Sequence, residues 1–259
     1  MTHWKLSKSS HWLALVIGNS RLHWGYFQNN TLQNTWDTAH LSQPLIDKII
    51  PADFLLPQIP NCLPLYIASV VPSQSKLWQT YPKGKIINLD EIPLKSLYST
   101  LGIDRALAIL GAGEIYNFPC LVIDAGTALT ITGVDRDRTL VGGAILPGLM
   151  LQFQSLSVRT AALPYLNLPN RLPNRWVSNT DEAITSGILY TIIGGITTFI
   201  DDWLKTYPQS KIILTGGDSQ TLFSYFQQQN YRTSENLKLN KNIIFWGIFF
   251  YIQHNITKV

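Results

Sequence analysis

Three short turns in this chain have the residues to hold a polyanion. Gly18-Asn19-Ser20 follows the aliphatic run Leu13–Ile17, Asp124-Ala125-Gly126-Thr127 follows Leu121–Ile123, and Thr215-Gly216-Gly217 follows Lys211–Leu214. A phosphate chain is held by main-chain N–H groups that approach it closely, and glycine, lacking a Cβ, permits that approach. Asn19, Ser20 and Thr127 add side-chain donors. Any one of these turns alone is an ordinary hairpin turn, but the three together favour a phosphate reading. A further group, Gly102-Ile103-Asp104-Arg105, sets a carboxylate and a guanidinium at the start of a predicted helix. A helix cap with a surface ion pair is the plain alternative. The chemical reading makes Asp104 the general base that takes a proton from a hydroxyl attacking a terminal phosphate, which contributes about 10²–10⁴-fold in rate. Arg105 would bind an anionic group of the same substrate. Asp124 is a candidate cation ligand beside its turn, with capping of the turn as its alternative. His11 and His23 stand in terminal or apolar settings and are expected to be structural.

Other phosphate-binding signatures are missing from the sequence. There is no G-x-x-x-x-G-K-[ST] loop and no protein-kinase set of motifs. Gly111-Ala112-Gly113 opens like a dinucleotide fingerprint, but Tyr116 occupies the third glycine's place within a helical pattern, so packing is the expected role.

The elements that must position these residues recur. The run before Gly18 and the run before Gly126 each lead into a Gly-polar pair and then a second strand-like run. The central glycines (18 and 126) and the trailing glycines (25 and 133) share one offset of 108 residues. Each copy predicts a β-hairpin, and the shared spacing predicts a duplicated domain: 1–117 and 118–259. Further strands are expected at Leu65–Val71, ended by Pro72, and at Lys85–Leu89 and Lys211–Leu214. Helices are expected at Arg105–Tyr116, from about Ala183 to Leu204 behind an Asn179-Thr180-Asp181 cap, after Asp218, and at Ile243–Gln253. Gln227–Asn230 reads as a loop. Strands and helices mixed in this way argue for α/β layers.

Composition narrows the partners. The 259 residues are 46% hydrophobic and 14% charged, enough to bury a large core. The net charge of +4 comes from scattered side chains; without a basic patch interleaved with aromatics, no nucleic-acid partner is expected. Cys62 and Cys120 form no C-x-x-C pair, which suits a reducing compartment. The run Leu13–Ile17 is short for a signal sequence, and Ile243–Ile252 is short for a membrane span. Ala183–Ile200 carries serine, threonines and three glycines and reads as a buried helix, so no membrane partner is expected and the chain is placed in the cytoplasm.

Read together, Ala68–Pro72, Leu101–Arg105, Val122–Ala128, Gly142–Gly148, Asn179-Thr180 with Ser186-Gly187, and Leu214–Gly217 resemble the type III pantothenate kinases, in the family's order and over nearly the whole chain. The resemblance implies two related ribonuclease H-like (actin-like ATPase) domains, each a mixed sheet flanked by helices, with an ATP cleft between them, and a homodimer. It implies transfer of the ATP γ-phosphate to pantothenate, giving 4'-phosphopantothenate, the first step of coenzyme A biosynthesis, with Mg²⁺ and K⁺ or NH₄⁺. By matching position, Asp104 resembles the proton acceptor. Tyr98, Gly102, Ile103, Asp104, Arg105 and Thr180 resemble substrate contacts. Val16, Ile17, Gly18, Asn19, Ser20 and Thr127 resemble ATP contacts, and Asp124 a monovalent-cation ligand. The family's first motif runs Asp-x-Gly-Asn-Thr; here Val16 replaces its aspartate and Ser20 its threonine. Valine can neither bind Mg²⁺ nor orient water. The rival readings are a non-catalytic relative that binds ATP or pantothenate, and a kinase of another small hydroxy-acid.

Overall fold

A computed structural model describes residues 11–60, 62–229 and 236–256. The first ten residues and Asn230, which entered the readings of the N-terminus and of the glutamine tract, lie outside them. The chain forms two compact units, 1–111 with 242–259, and 112–241.

The first unit is built on a five-stranded mixed sheet of order β3-β2-β1-β4-β5: β1 (His11–Ile17), β2 (Leu22–Gln28), β3 (Thr31–Thr38), β4 (Leu65–Ser69) and β5 (Gly84–Ile86). β1, β2 and β3 form an antiparallel meander, and β4 and β5 add in parallel on the other side of β1. β1 is buried on both faces, which is why it reads as a continuous apolar run rather than an alternation. Leu13, Leu15 and Ile17 face a core with Trp24, Trp78 and Tyr81. Trp78 ends the short helix α1 (Pro72–Trp78), where Pro72, expected to stop a strand, also serves as the first helical residue. On the opposite face α6 (Ile243–Ile256) covers β2: Phe245 lies against Gly25, and Trp246 and Phe249 pack on Phe27.

α6 explains how these units differ from the division expected at 117/118. Gly247 leaves no room for a side chain between itself and the Leu107 main chain, so α6 packs on the first nine residues of α2 (Ile103–Tyr116). The C-terminal helix therefore belongs to the first compact unit, a return of the chain that local sequence does not announce.

The second unit repeats the frame. Its sheet has the order β10-β9-β6-β7-β8, made of β6 (Cys120–Ala125), β7 (Ala128–Val134), β8 (Leu140–Pro147), β9 (Lys211–Thr215) and β10 (Leu237–Leu239). β6, β7 and β8 are again an antiparallel meander, with β9 and β10 parallel beside β6. α3 (Leu149–Arg159), α4 (Thr180–Thr206) and α5 (Ser219–Gln228) pack on one face. The Asn179 side chain caps α4 by accepting the Glu182 N–H at 2.9 Å. Ile188, Leu189, Ile192, Ile193, Ile196, Ile200 and Trp203 bury one side of α4 at helical spacing. By length and composition α4 could cross a membrane, but its apolar side lies in the core of this unit. The last residues of α5 replace the start of the loop expected at 227–230.

The duplication is thus visible in the strand order, and it also shows what the shared spacing concealed. Gly25 lies opposite Ala14, whereas Gly133 lies opposite Leu121, because the last β6–β7 pair, Ala125 with Leu129, encloses one residue fewer than the last β1–β2 pair, Ile17 with Leu22. Adding 108 to Ala14 gives Val122, so the trailing glycines do not occupy equivalent positions: Gly25 meets Phe245 of α6 and Gly133 meets Trp203 of α4. Such a one-residue shift turns a strand's side chains to the other face. The central glycines do correspond.

Candidate functional site

In the second unit, three connections meet at the ends of β6 and β9. Asp124 lies opposite Thr215 in the parallel pair, so the Asp124–Thr127 and Thr215–Gly217 turns emerge side by side. The Asp218 N–H donates to the Ala125 carbonyl at 2.9 Å, which ties the third turn to the second. Gly216 has φ of +90°, and a Cβ there would collide with the Asp124 carboxylate and the Ala125 main chain, so the approach of the two turns requires glycine. From the other side the Gly148 N–H donates to the Thr127 carbonyl at 2.9 Å. α3 begins just after Gly148 and α5 just after Asp218, adding two helix N-termini to a place already rich in N–H groups. Thr127 is exposed and Asp124 half-buried. Thr180, exposed, is the first residue of α4.

In the first unit, the β1–β2 turn is closed by the Gly18 N–H donating to the Arg21 carbonyl at 3.1 Å. His40 Nε2–H donates to the Gly18 carbonyl at 2.8 Å. Asn19 and Ser20 are exposed at its tip, while Val16 and Ile17 are buried. Of the five residues from Val16 to Ser20, the first two can therefore offer a ligand only their main chain.

The α2 start gathers the remaining candidates. Arg105 is buried, 7% exposed, and its Nη1 donates to the Tyr98 hydroxyl at 3.1 Å. Asp104 Oδ1 accepts the Arg105 main-chain N–H at 2.8 Å. Burial raises the Asp104 pKa above its usual 3.8, a rise opposed by that N–H and by the Arg105 charge. The Leu101 N–H bonds the Tyr98 carbonyl at 2.9 Å, bringing Tyr98 back towards the helix start. Ile103 is buried and Gly102 half-buried. The pair does not lie on the surface: the guanidinium is buried, where its donors must be met, and burial makes the carboxylate easier to protonate.

The fit of implied ions can be judged from the donors. Asp124 supplies one half-buried carboxylate beside these turns, an oxygen ligand of the kind a hard cation takes. At the first turn, by contrast, the buried Val16 offers nothing to a divalent ion, and the described residues contain no cluster of three or more His, Cys, Asp or Glu side chains. Mg²⁺ thus has no carboxylate at position 16.

Comparison with known proteins shows the family of the chain and its fold. The family model described as type III pantothenate kinase matches residues 12–202. A type III pantothenate kinase of Nostoc sp. (strain PCC 7120) is 46% identical over 92% of this chain and 92% of its own length. One from Synechocystis sp. (strain PCC 6803) is 45% identical over 93% and 90%. Among solved structures, a Campylobacter jejuni protein described under the Baf family of transcriptional activators has a TM-score of 0.59 at 21% identity, covering 95% of this chain and 99% of its own. MreB 5 of Spiroplasma citri bound to AMPPNP gives 0.53 at 11% identity, covering 97% and 99%. At such identities the structures speak for the actin-like fold alone.

Proposed function

This chain belongs to the type III pantothenate kinase family, and from that premise we propose how its residues carry the reaction. The protein is an ATP-dependent pantothenate kinase that transfers the γ-phosphate of ATP to pantothenate, giving 4'-phosphopantothenate. Asp104 acts as the general base. As the primary hydroxyl oxygen of pantothenate bonds to the γ-phosphorus, its proton passes to the Asp104 carboxylate, the bond from phosphorus to the β–γ bridging oxygen breaks, and ADP leaves. Arg105, anchored by Tyr98, pairs with the pantothenate carboxylate and holds the substrate in register with the base; Gly102, Ile103 and Thr180 complete its binding. In each unit the N–H groups of its glycine turns contact phosphate oxygens of ATP, with Asn19 and Ser20 adding donors in the first unit and Thr127 in the second. Asp124 holds K⁺ or NH₄⁺, which would offset repulsion between that carboxylate and the phosphates. Mg²⁺ comes with ATP, and no residue is assigned to it.

The observation that carries this reading is the desolvated Asp104 beside a buried, tyrosine-anchored Arg105 at the first turn of α2. Mass spectrometry of a reaction of purified protein with MgATP and pantothenate should show phosphopantothenate and ADP. If no phosphorylated product forms under K⁺, NH₄⁺ or Na⁺, the protein is a non-catalytic member of its family.

We also propose a cytoplasmic homodimer formed through the second unit. In support, β8 is an edge strand whose outer face shows Val141 and Ile145, and α4 exposes Gly187, Thr191, Gly194 and Thr198 at helical spacing. Light scattering that gave the mass of one chain at micromolar concentration would refute it.

A further inference from the structure

Val16, His23 and Asp37 form one row across three strands. Val16 lies opposite His23 in the β1–β2 pair, and His23 lies opposite Asp37 in the β2–β3 pair. Residues directly opposite in an antiparallel pair project from the same face. The row therefore runs from the position that lacks the family's aspartate, through an imidazole, to a carboxylate. His23 Nδ1 is 2.7 Å from Asp37 Oδ1. An ionised carboxylate only accepts, so Nδ1 carries the hydrogen of that bond. This fixes the ring and turns Nε2 the other way, onto the first turn: a Cβ built on Gly18 would sit 3.5 Å from Nε2.

The charges around the ring decide what this nitrogen meets. Arg21 Nη1 bonds the other Asp37 oxygen at 3.1 Å, and His40 holds the Gly18 carbonyl. Asp37 is thus shared between two basic side chains, and a third lies behind the turn. A cation placed at Gly18 would face Arg21; an anion would face a ring that Asp37 holds from behind. The side chains of His23 and Asp37 are 41% and 44% exposed, open enough for a ligand to reach.

We propose that His23, oriented by Asp37, donates Nε2–H to a phosphate oxygen of the nucleotide at the first turn, and so takes over at position 23 the contact with the phosphate end of the ligand that the Val16 side chain cannot make. The assignment rests on the kinase reading above. With one ring nitrogen on Asp37 and the other on phosphate, both carry hydrogen, and the contact is a charge-assisted hydrogen bond. No bond to carbon or phosphorus is broken by it. The competing account is purely structural: an Arg21–Asp37–His23 ladder that pins β3 to the hairpin.

Calorimetry on the full chain separates the two. ATP, adenosine and pantothenate are each titrated in EDTA and again with Mg²⁺, using wild type, His23→Ala, His23→Gln and His23→Lys. His23→Gln keeps a donor towards Asp37 and covers the case in which the alanine variant fails to fold. Loss of one hydrogen bond to a charged group should weaken ATP binding by roughly tenfold or more in EDTA for both neutral variants. Adenosine and pantothenate should bind unchanged, and His23→Lys should recover most of the ATP affinity. Equal ATP affinity in wild type and His23→Gln overturns the proposal while leaving the kinase reading intact. Equal weakening of ATP and adenosine overturns it in favour of the structural ladder. If wild type binds no ATP and makes no product, the kinase reading itself has failed and takes this assignment with it.

Discussion

The β1–β2 and β6–β7 hairpins occupy the same place in two sheets that repeat one strand pattern, yet the residues leading into their turns differ chemically. Position 16 of the first corresponds to position 124 of the second, one offset of 108 residues apart. Val16 is 5% exposed and packs in the sheet, whereas Asp124 keeps a half-buried carboxylate beside two glycine turns. A repeated frame fixes where a side chain stands and leaves open what it does there. Beside a polyphosphate a carboxylate needs a counter-ion, because like charges at close range repel. The second hairpin keeps that carboxylate, and the ion proposed for it would meet this need. The first has given up the carboxylate and carries basic side chains instead.

The largest effect is expected away from both hairpins, at the proposed base Asp104. Asp104→Asn keeps the shape of the side chain and should lower kcat by about 10²-fold or more; steady-state rates within a few-fold of wild type would reduce Asp104 to a cap. The same substitution has a second signature. Burial raises the folded-state pKa of Asp104 above 3.8, so folding favours its protonated form. Its contribution to stability is present below the unfolded value and is lost as pH rises through the raised one. Asn cannot ionise, so at neutral pH the variant should melt slightly higher than wild type, with the gap closing in acid. A lower melting temperature at pH 7 would contradict the desolvation.

Next in size are the close approaches that hold each frame. Gly247→Val would drive a side chain into the Leu107 main chain and should cost several kcal/mol, since rigid backbone gives way poorly. Gly216→Ala adds a strained positive φ and a collision with Asp124, and should raise the KM for ATP as well as lower stability. Denaturant titrations of both variants, paired with ATP kinetics of the second, separate a packing role from a ligand role. A Gly216→Ala enzyme with unchanged KM for ATP would remove the third turn from the nucleotide site.

The smallest expected effect restores the symmetry. Val16→Asp gives the first hairpin the carboxylate of the second, and should lower the Mg²⁺ concentration needed for half-maximal rate. A carboxylate in an apolar setting costs several kcal/mol unless an ion or hydrogen bond meets it, so this variant should melt lower without MgATP and regain stability with it. Identical Mg²⁺ titrations of the two proteins would show that position 16 does not serve the metal here.

Much of this was legible in the residues. The apolar run Leu13–Ile17 followed by Gly-Asn-Ser, and its copy at Leu121–Thr127, gave both hairpins, because a strand buried on both faces is continuous and its turn is marked by glycine. The Asn179 cap and the helical spacing behind it gave α4. The fate of α6 was not legible: an apolar helix after residue 242 looks the same whichever core receives it, and only the closeness of Gly247 to Leu107 decides. The trailing glycines misled because a one-residue shorter turn preserves spacing in number while exchanging faces. The structural reading of His23 rested on its apolar neighbours in sequence and could not show what it bonds. Its polar partner, Asp37, is 14 residues away and meets it only across the strand pair.

The asymmetry of the two hairpins is tested most directly by the rate of phosphopantothenate formation in K⁺, NH₄⁺ and tetramethylammonium buffers, for wild type and Asp124→Ala. Wild type should be active in the first two and lose most of its activity in the third, whose ion is too bulky to sit between Asp124 and the phosphates, while Asp124→Ala should be slow and indifferent to the cation. Full wild-type activity in tetramethylammonium, or an Asp124→Ala enzyme with the wild-type cation response, would contradict the assignment of the ion to the second hairpin.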